Sequence, residues 1–410
     1  MRMEEPRRPP IGWGPRLLFA VHVFMLLTGA ARAGGASTIR EVSQPHHLPV
    51  LGMMSVPADA CSLVAASGFS VVHNYGFETG DFPSTAAYIT RALIYLDAAD
   101  CHGLRVLLGV PRLWLEQRRE AMVVDCVRGL RQHPALFAWY EDEVAQRGDR
   151  GAVELLDSVV RREDPAHGLV IEEAKRDDSL LEVGRARMFT YYAVTTEARQ
   201  RGRLPTIEDR FPVHQLRRPF WPVLQAYGHE HIAGLEAVKF LVPERRELQY
   251  TLYSSLIAGA HGIFFYPYLH PTTFDKVKQK QSAWPYGRYL PLPIVDPTLW
   301  ATVQITTAEA QRLLERIVTA VPCTPNAYRV RPGGKVEDAC WQVADGTLVL
   351  FANSSSQPVS LDVILPGDVP ATRLLHEGLP STARQVKKRT VRVELPGPGG
   401  VALLLEKARQ

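Results

Sequence analysis

Between Val50 and Val318, short apolar runs alternate with longer amphipathic stretches. Eight runs read as strands: VLGMMS from Val50, FSVVHNY from Phe69, RVLLGV from Arg105, ALFAWY from Ala135, GLVIE from Gly168, RMFTYY from Arg187, FWPVLQAYG from Phe220 and GIFFYPY from Gly262. They are apolar nearly throughout rather than alternating, the pattern of strands buried on both faces. The stretches between them read as helices. In STAAYITRALIYLDAADCHG, for example, Ser84 or Thr85 suits an N-cap and Gly103 a stop. Eight strand–helix repeats predict a closed (β/α)8 barrel. The competing doubly wound sheet would need a glycine-rich phosphate turn after a strand, and no strand here is followed by one.

After Pro322 the hydrophobic period shortens to two. WQVADGTLVLFANSSS reads as two alternating strands about the turn Asp345-Gly346, and SLDVILP, TVRVELP and VALLLEK follow without an intervening helix. The expected fold class is therefore α/β: a TIM barrel over residues 34–320 followed by a small antiparallel β-sandwich over 321–410. Strand eight leads into a long stretch from Leu269 to Pro297 with Trp284, Tyr286 and Tyr289, predicted to fold over the barrel mouth. A last barrel helix is predicted from Thr302 to Val318.

The first 33 residues carry a different pattern. Arginines through Arg16 precede the apolar run LLFAVHVFMLLTGA, and Ala31-Arg32-Ala33 has the form of a cleavage site. This predicts a signal peptide, a secreted or periplasmic mature chain from Gly34, and no membrane span after cleavage; the run is short for a bilayer crossing. The net charge of +4 is concentrated there, since five arginines and two glutamates precede Gly34. A nearly neutral remainder gives no electrostatic case for nucleic acid as a partner. Export permits disulfides, and Cys323 with Cys340 can clip one edge of the sandwich. Cys61, Cys101 and Cys126 fall on helical stretches and read as small hydrophobes.

Chemistry in such a barrel sits at the C-terminal strand ends. There the segment HPALFAWYEDEV runs an apolar strand into Glu141, Asp142 and Glu143. The other strand tips offer Ser55; His73, Asn74 and Tyr75; Arg112 and Trp114; Glu172 and Glu173; Tyr191 and Tyr192; Gln225 and Tyr227; Tyr266 and Tyr268. Acids, amides and many aromatic faces in one basin suit a sugar, whose C–H faces stack on rings while its hydroxyls take hydrogen bonds. His229 and His231 in GHEHI are two residues apart, a spacing too common in loops to assign a metal, and no cofactor is implied.

HPALFAWYEDE is similar to the strand-four segment of clan-A-like glycoside hydrolases, where a His-Pro-Ala stretch leads through a Trp to a terminal Asp-Glu. DPAHGLVIEE from Asp164, WPVLQAYG from Trp221 and PERRELQYTLYSSLIAGAHGIFFYPY from Pro243 resemble strand five, strand seven, and helix seven with strand eight of a poorly characterised subgroup. The resemblance covers most of Val50 to Trp300. It implies an O-glycosyl hydrolase acting on an oligosaccharide or polysaccharide, with Glu143 as the general acid. Such an acid works near neutral pH only if burial or neighbouring negative charge raises its pKa. Alternation along the strand predicts that one of the three acids points away.

One departure from that pattern is plain. Retaining clan-A enzymes end strand seven in a nucleophilic Glu, where this chain has Gln225. The second carboxylate is expected at strand five, from Glu173 or Glu172, with Glu173 as the base; Glu78, Asp81 and Glu230 follow. A base from another strand leaves room for a water and so predicts inversion. His73, Asn74, Tyr191 and Gln225 are expected to hold sugar hydroxyls. Trp139, Trp221 and Trp284 are expected to stack on the sugar, with Asp142, Tyr227 and Tyr266 completing the binding set. The alternative is a glycan-binding or cell-surface protein that has lost its chemistry. The sequence sets no oligomeric state.

Overall fold

The computed structural model describes residues 49–406 except 144–148, 176–179, 181, 182, 212, 217, 236, 275–287, 325, 326, 332–335, 367–371 and 376–381. The segment predicted to be a signal peptide and Trp284 lie outside the described residues.

Eight parallel strands close into a barrel in chain order: β1 (Val50–Met53), β2 (Val71–His73), β3 (Arg105–Gly109), β4 (Leu136–Glu141), β5 (Leu169–Glu173), β6 (Ala186–Tyr191), β7 (Phe220–Gln225) and β8 (Gly262–Tyr266), with β8 pairing back to β1. All eight predicted strands are present. Inside the barrel, Val71, Leu107, Ala138, Tyr140, Val170, Met188, Trp221, Val223 and Phe264 form one packed cluster. Gly52 faces this interior because a Cβ there would lie 2.0 Å from the Phe264 ring. The alternate residues pack outward under the helices, forming a second, larger core.

Side-chain caps fix two of the helix starts. In Thr85–Asp100 the Ser84 hydroxyl accepts from the Ala87 N–H at 3.2 Å, satisfying one of the free donors of the first turn. The last barrel helix, Pro297–Ile317, starts earlier than predicted. Asp296 caps it, accepting from Leu299 N–H at 2.8 Å, and Pro297 occupies its first turn. The stretch after β8 begins and ends in a two-stranded ribbon, Leu269–Pro271 with Tyr289–Pro291. The expectation that its centre covers the mouth falls on residues outside the described set.

The sandwich comprises a five-stranded and a four-stranded antiparallel sheet. The predicted hairpin pairs Val336–Val343 with Gly346–Asn353. Val349, Phe351, Leu361, Val391, Val393 and Leu403 form the core between the two sheets, and Cys323 is bonded to Cys340. The sandwich docks on barrel helix Arg245–Ile257. There the Glu337 carboxylate accepts from the Tyr250 and Ser254 hydroxyls, each at 2.8 Å. Tyr253 OH donates to Glu309 at 2.8 Å, tying this helix to Pro297–Ile317.

Candidate active site

A cavity of about 410 Å³ opens at the C-terminal ends of the barrel strands, within the roughly 300–1,000 Å³ usual for small-molecule sites. Its carboxyl groups are Asp142 and Glu143 beyond β4 and Glu172 on β5. Its aromatic walls include Tyr75, Tyr192, Tyr227, Phe240 and Tyr266.

Strand alternation decides which tips reach it. On β4, Ala138 and Tyr140 face the barrel interior, which carries Asp142 into the cavity and sends Glu141 behind the wall. Glu143 then adopts φ +47°, a left-handed conformation that turns the chain sharply as β4 ends. Left-handed backbone at a non-glycine residue is concentrated at functional sites, where surrounding structure holds it. On β5 the inward residues are Val170 and Glu172, and on β6 Ala186, Met188 and Thr190, with Tyr192 following just beyond its end.

The three acids sit in different environments. Asp142 is 2% exposed and accepts from Arg112 at 2.6 Å. Glu172 is equally buried; one oxygen accepts from Thr190 Oγ1 at 2.7 Å and the other from the Tyr140 hydroxyl. Burial, reinforced by the negative charges of Asp142 and Glu143, holds the Glu172 carboxyl well above the usual carboxylate range. Burial first, and then the neighbouring Glu172 and Asp142 carboxyls, push the Tyr75 and Tyr140 phenols up. Glu143 is half-buried at the rim.

Of the residues singled out from sequence, Asp142, Glu143, Tyr227 and Tyr266 line the cavity. Most of the others are placed elsewhere. Glu173 points outward from the barrel and is ion-paired with Arg187, both fully buried. Trp139 also faces outward, donating to Asp164 at 2.8 Å, and Tyr191 donates to the Pro205 carbonyl at 2.6 Å. Trp221 has the inward parity but lies near the start of β7, packed against Phe137 and Phe264. His73 is bonded to Glu78 at 2.7 Å and enclosed by the Tyr75 and Tyr140 rings. Asn74 accepts from Gly76 N–H in its own turn. Gln225 clamps the loops after β6 and β7: its oxygen accepts from Val194 N–H at 3.1 Å, and its amide donates to the carbonyls of Val194, Tyr227 and Leu241. Glu230 accepts from Val242 N–H at 2.7 Å.

Of the two strand-five acids expected from sequence, Glu172 lines the cavity and Glu173, the one given the role of base, does not. Tyr75 and Tyr192 were visible as strand tips without an assigned role. Lys175, Arg210 and Lys239 come from loops, which carry no periodic signal. Among the described residues, no group of three His, Cys, Asp or Glu side chains is placed to hold a metal, and no helix is long and apolar enough to cross a membrane.

No protein-family model and no curated protein matches this sequence. Solved structures do match in fold. A protein described as a glycoside hydrolase aligns with TM-score 0.56 and 13% identity, over 88% of this chain and 94% of that one. A family 5 glycoside hydrolase from Bacteroides vulgatus aligns with TM-score 0.54 and 11% identity, over 88% and 90%. The debranching enzyme of Nostoc punctiforme, soaked with acarbose, aligns with TM-score 0.51 and 11% identity, over 88% and 98%. At such identities the likeness is one of fold. The chain has the fold of the (β/α)8-barrel glycoside hydrolases, with β-sheet layers following the barrel.

Proposed function

We propose that the protein is an exported glycoside hydrolase whose catalytic carboxyls are Glu143 and Glu172. One observation carries the proposal: acids from adjacent strands, β4 and β5, open into a single aromatic-walled cavity at the C-terminal face of the barrel. Aromatic faces can bind the sugar by stacking, and two carboxyls in different environments can divide acid and base work between them. The signal-peptide pattern of the first 33 residues supports export.

The burial asymmetry supports a division of roles that reverses the one implied by the strand-four resemblance. Glu172, whose carboxyl pKa is raised well above the usual range by burial and adjacent charge, is the proton donor to the departing glycosidic oxygen. Glu143, half-buried and reachable by water, is the base. Arg112 compensates the buried charge of Asp142, and that charge in turn keeps the proton on Glu172.

The test compares wild type with Glu172→Gln and Glu143→Gln on a panel of oligosaccharides and on aryl glycosides of graded leaving-group acidity. A loss of at least about a thousandfold on unactivated glycans is expected for both variants, in line with removal of acid–base catalysis plus positioning. Only Glu172→Gln should recover on dinitrophenyl glycosides, which leave without protonation. Recovery of Glu143→Gln instead would restore it as the acid.

A binding protein without hydrolysis is the second reading. It is favoured by Gln225, which puts an amide at the end of β7 and commits that amide to backbone carbonyls. Glycan binding without cleavage by wild type would establish that reading.

A further inference from the structure

Resting on the reading of this cavity as a glycan site, we infer that its glycan is anionic, with a carboxylate or sulfate group seated against the wall formed by Lys175, Arg210 and Lys239. The three cations come from the segments after β5, after β6 and after β7, whereas the catalytic carboxyls come from the β4 and β5 ends. β4 and β5 thus supply the acids, and the segments after β5, β6 and β7 bring one cation each to the same cavity.

The cations differ from three arginines elsewhere in the barrel. Arg112 is paired with Asp142, Arg187 with Glu173 and Arg199 with Glu247. Among the described residues, no carboxylate lies within ion-pair distance of Lys175, Arg210 or Lys239. Arg210 is the informative member. It is half-buried, and burial lowers its pKa with only the Tyr191 and Tyr227 phenols opposing the shift. A partly desolvated guanidinium without a counter-charge is costly, and an arriving anion relieves that cost through charge-assisted hydrogen bonds. Lys239 stands over the Phe240 ring at 5.1 Å, so a sugar stacked on this wall meets an ammonium beside the ring.

A neutral glycan gains little from such a wall. Lysine and arginine only donate, and they satisfy sugar hydroxyls no better than the neutral donors already lining the cavity. An anionic sugar gains affinity and orientation. Its charged group is drawn to the basic wall and repelled by Asp142 and Glu143, which fixes which end of the ring faces the acids.

The experiment uses the full chain carrying Glu143→Gln, so that binding is read without turnover, by calorimetry at low and at moderate salt. The probes are galacturonan and alginate oligomers beside their carboxyl-reduced forms, and sulfated galactan oligomers beside their desulfated forms. At least one acidic probe should bind tenfold or more tighter than its neutralised counterpart, with an advantage that shrinks on adding salt. The uronate and sulfate arms identify which anion is taken. Adding Arg210→Gln should bring that ratio close to one. Equal affinity for charged and neutral forms overturns the inference, and cleavage of the neutral form by wild type would then leave the hydrolase reading standing. A preference that persists undiminished in the Arg210→Gln protein also overturns it. Binding without any cleavage by wild type removes the hydrolase reading but not this one. No binding of any probe overturns the inference and leaves the hydrolase reading to its own test on the oligosaccharide panel.

Discussion

Glu172 and Glu173 are neighbours on β5 with opposite fates: Glu172 faces the cavity, while Glu173 is buried behind the barrel wall against Arg187. Period-two alternation separates them completely. The pair makes a direct comparison, because the same substitution probes chemistry at one residue and folding at the next.

Glu173→Gln removes the carboxylate charge from the buried ion pair with Arg187, and removing one partner of a buried pair costs roughly 3–5 kcal/mol. Chemical denaturation should show that loss. Replacing both partners with apolar residues, Glu173→Leu with Arg187→Met, should recover most of it. A Glu173→Gln protein as stable as wild type would contradict a structural role.

Glu172 makes stability depend on pH. Its folded pKa is raised, so the folded chain retains a proton that the unfolded chain has released. Stability is therefore full below the ordinary glutamate value of 4.5 and falls as pH rises from there towards the raised value. Glu172→Gln should flatten this decline while losing activity. Glu309 and Glu337, also raised chiefly by burial, keep part of the slope. Unfolding midpoints of the two proteins between pH 4 and 8, on the order of the usual carboxylate-to-neutral range, test the sign.

Gln225→Glu supplies a carboxyl at the end of β7 but should not gain hydrolysis. The carbonyls of Tyr227 and Leu241 would lose the donor that Gln225 supplies, while Val194 keeps the Leu241 N–H, at roughly 1–3 kcal/mol for each buried group left unpaired. A marked fall in thermal stability with no gain in glycan cleavage is expected. Increased activity would show that the position can serve as a nucleophile.

Gly400→Ala should loosen the seat of the sandwich on the barrel. A Cβ there would lie 2.3 Å from the Tyr253 ring, whose hydroxyl is fixed on Glu309. Overpacking of this kind costs roughly 1–3 kcal/mol. A variant of unchanged stability, measured by thermal unfolding, would mean that the ring can move aside.

If Glu143 and a water act from the face opposite the departing oxygen, the first product has the inverted anomeric configuration. Proton NMR of the initial product reads this directly, and a retained anomer would require a covalent intermediate on one of the cavity carboxyls.

The hydrophobic pattern alone determined the architecture. Near-continuous apolar strands must be covered on both faces, and their regular alternation with helices leaves a closed parallel barrel; alternating strands after Pro322 need only one covered face and make a sandwich. The approximate site was equally legible, because three acids ending an apolar strand have no place except at its tip. Three things depended on the tertiary structure. The facing of each tip rests on strand register, which put Trp139, Tyr191 and Glu173 on the helix side of the wall and Glu172 inside it. Depth along the barrel separated Trp221, near the start of its strand, from Tyr227 beyond its end. That Arg210, Lys175 and Lys239 line one cavity brings together loops distant in sequence, a placement that no local period encodes.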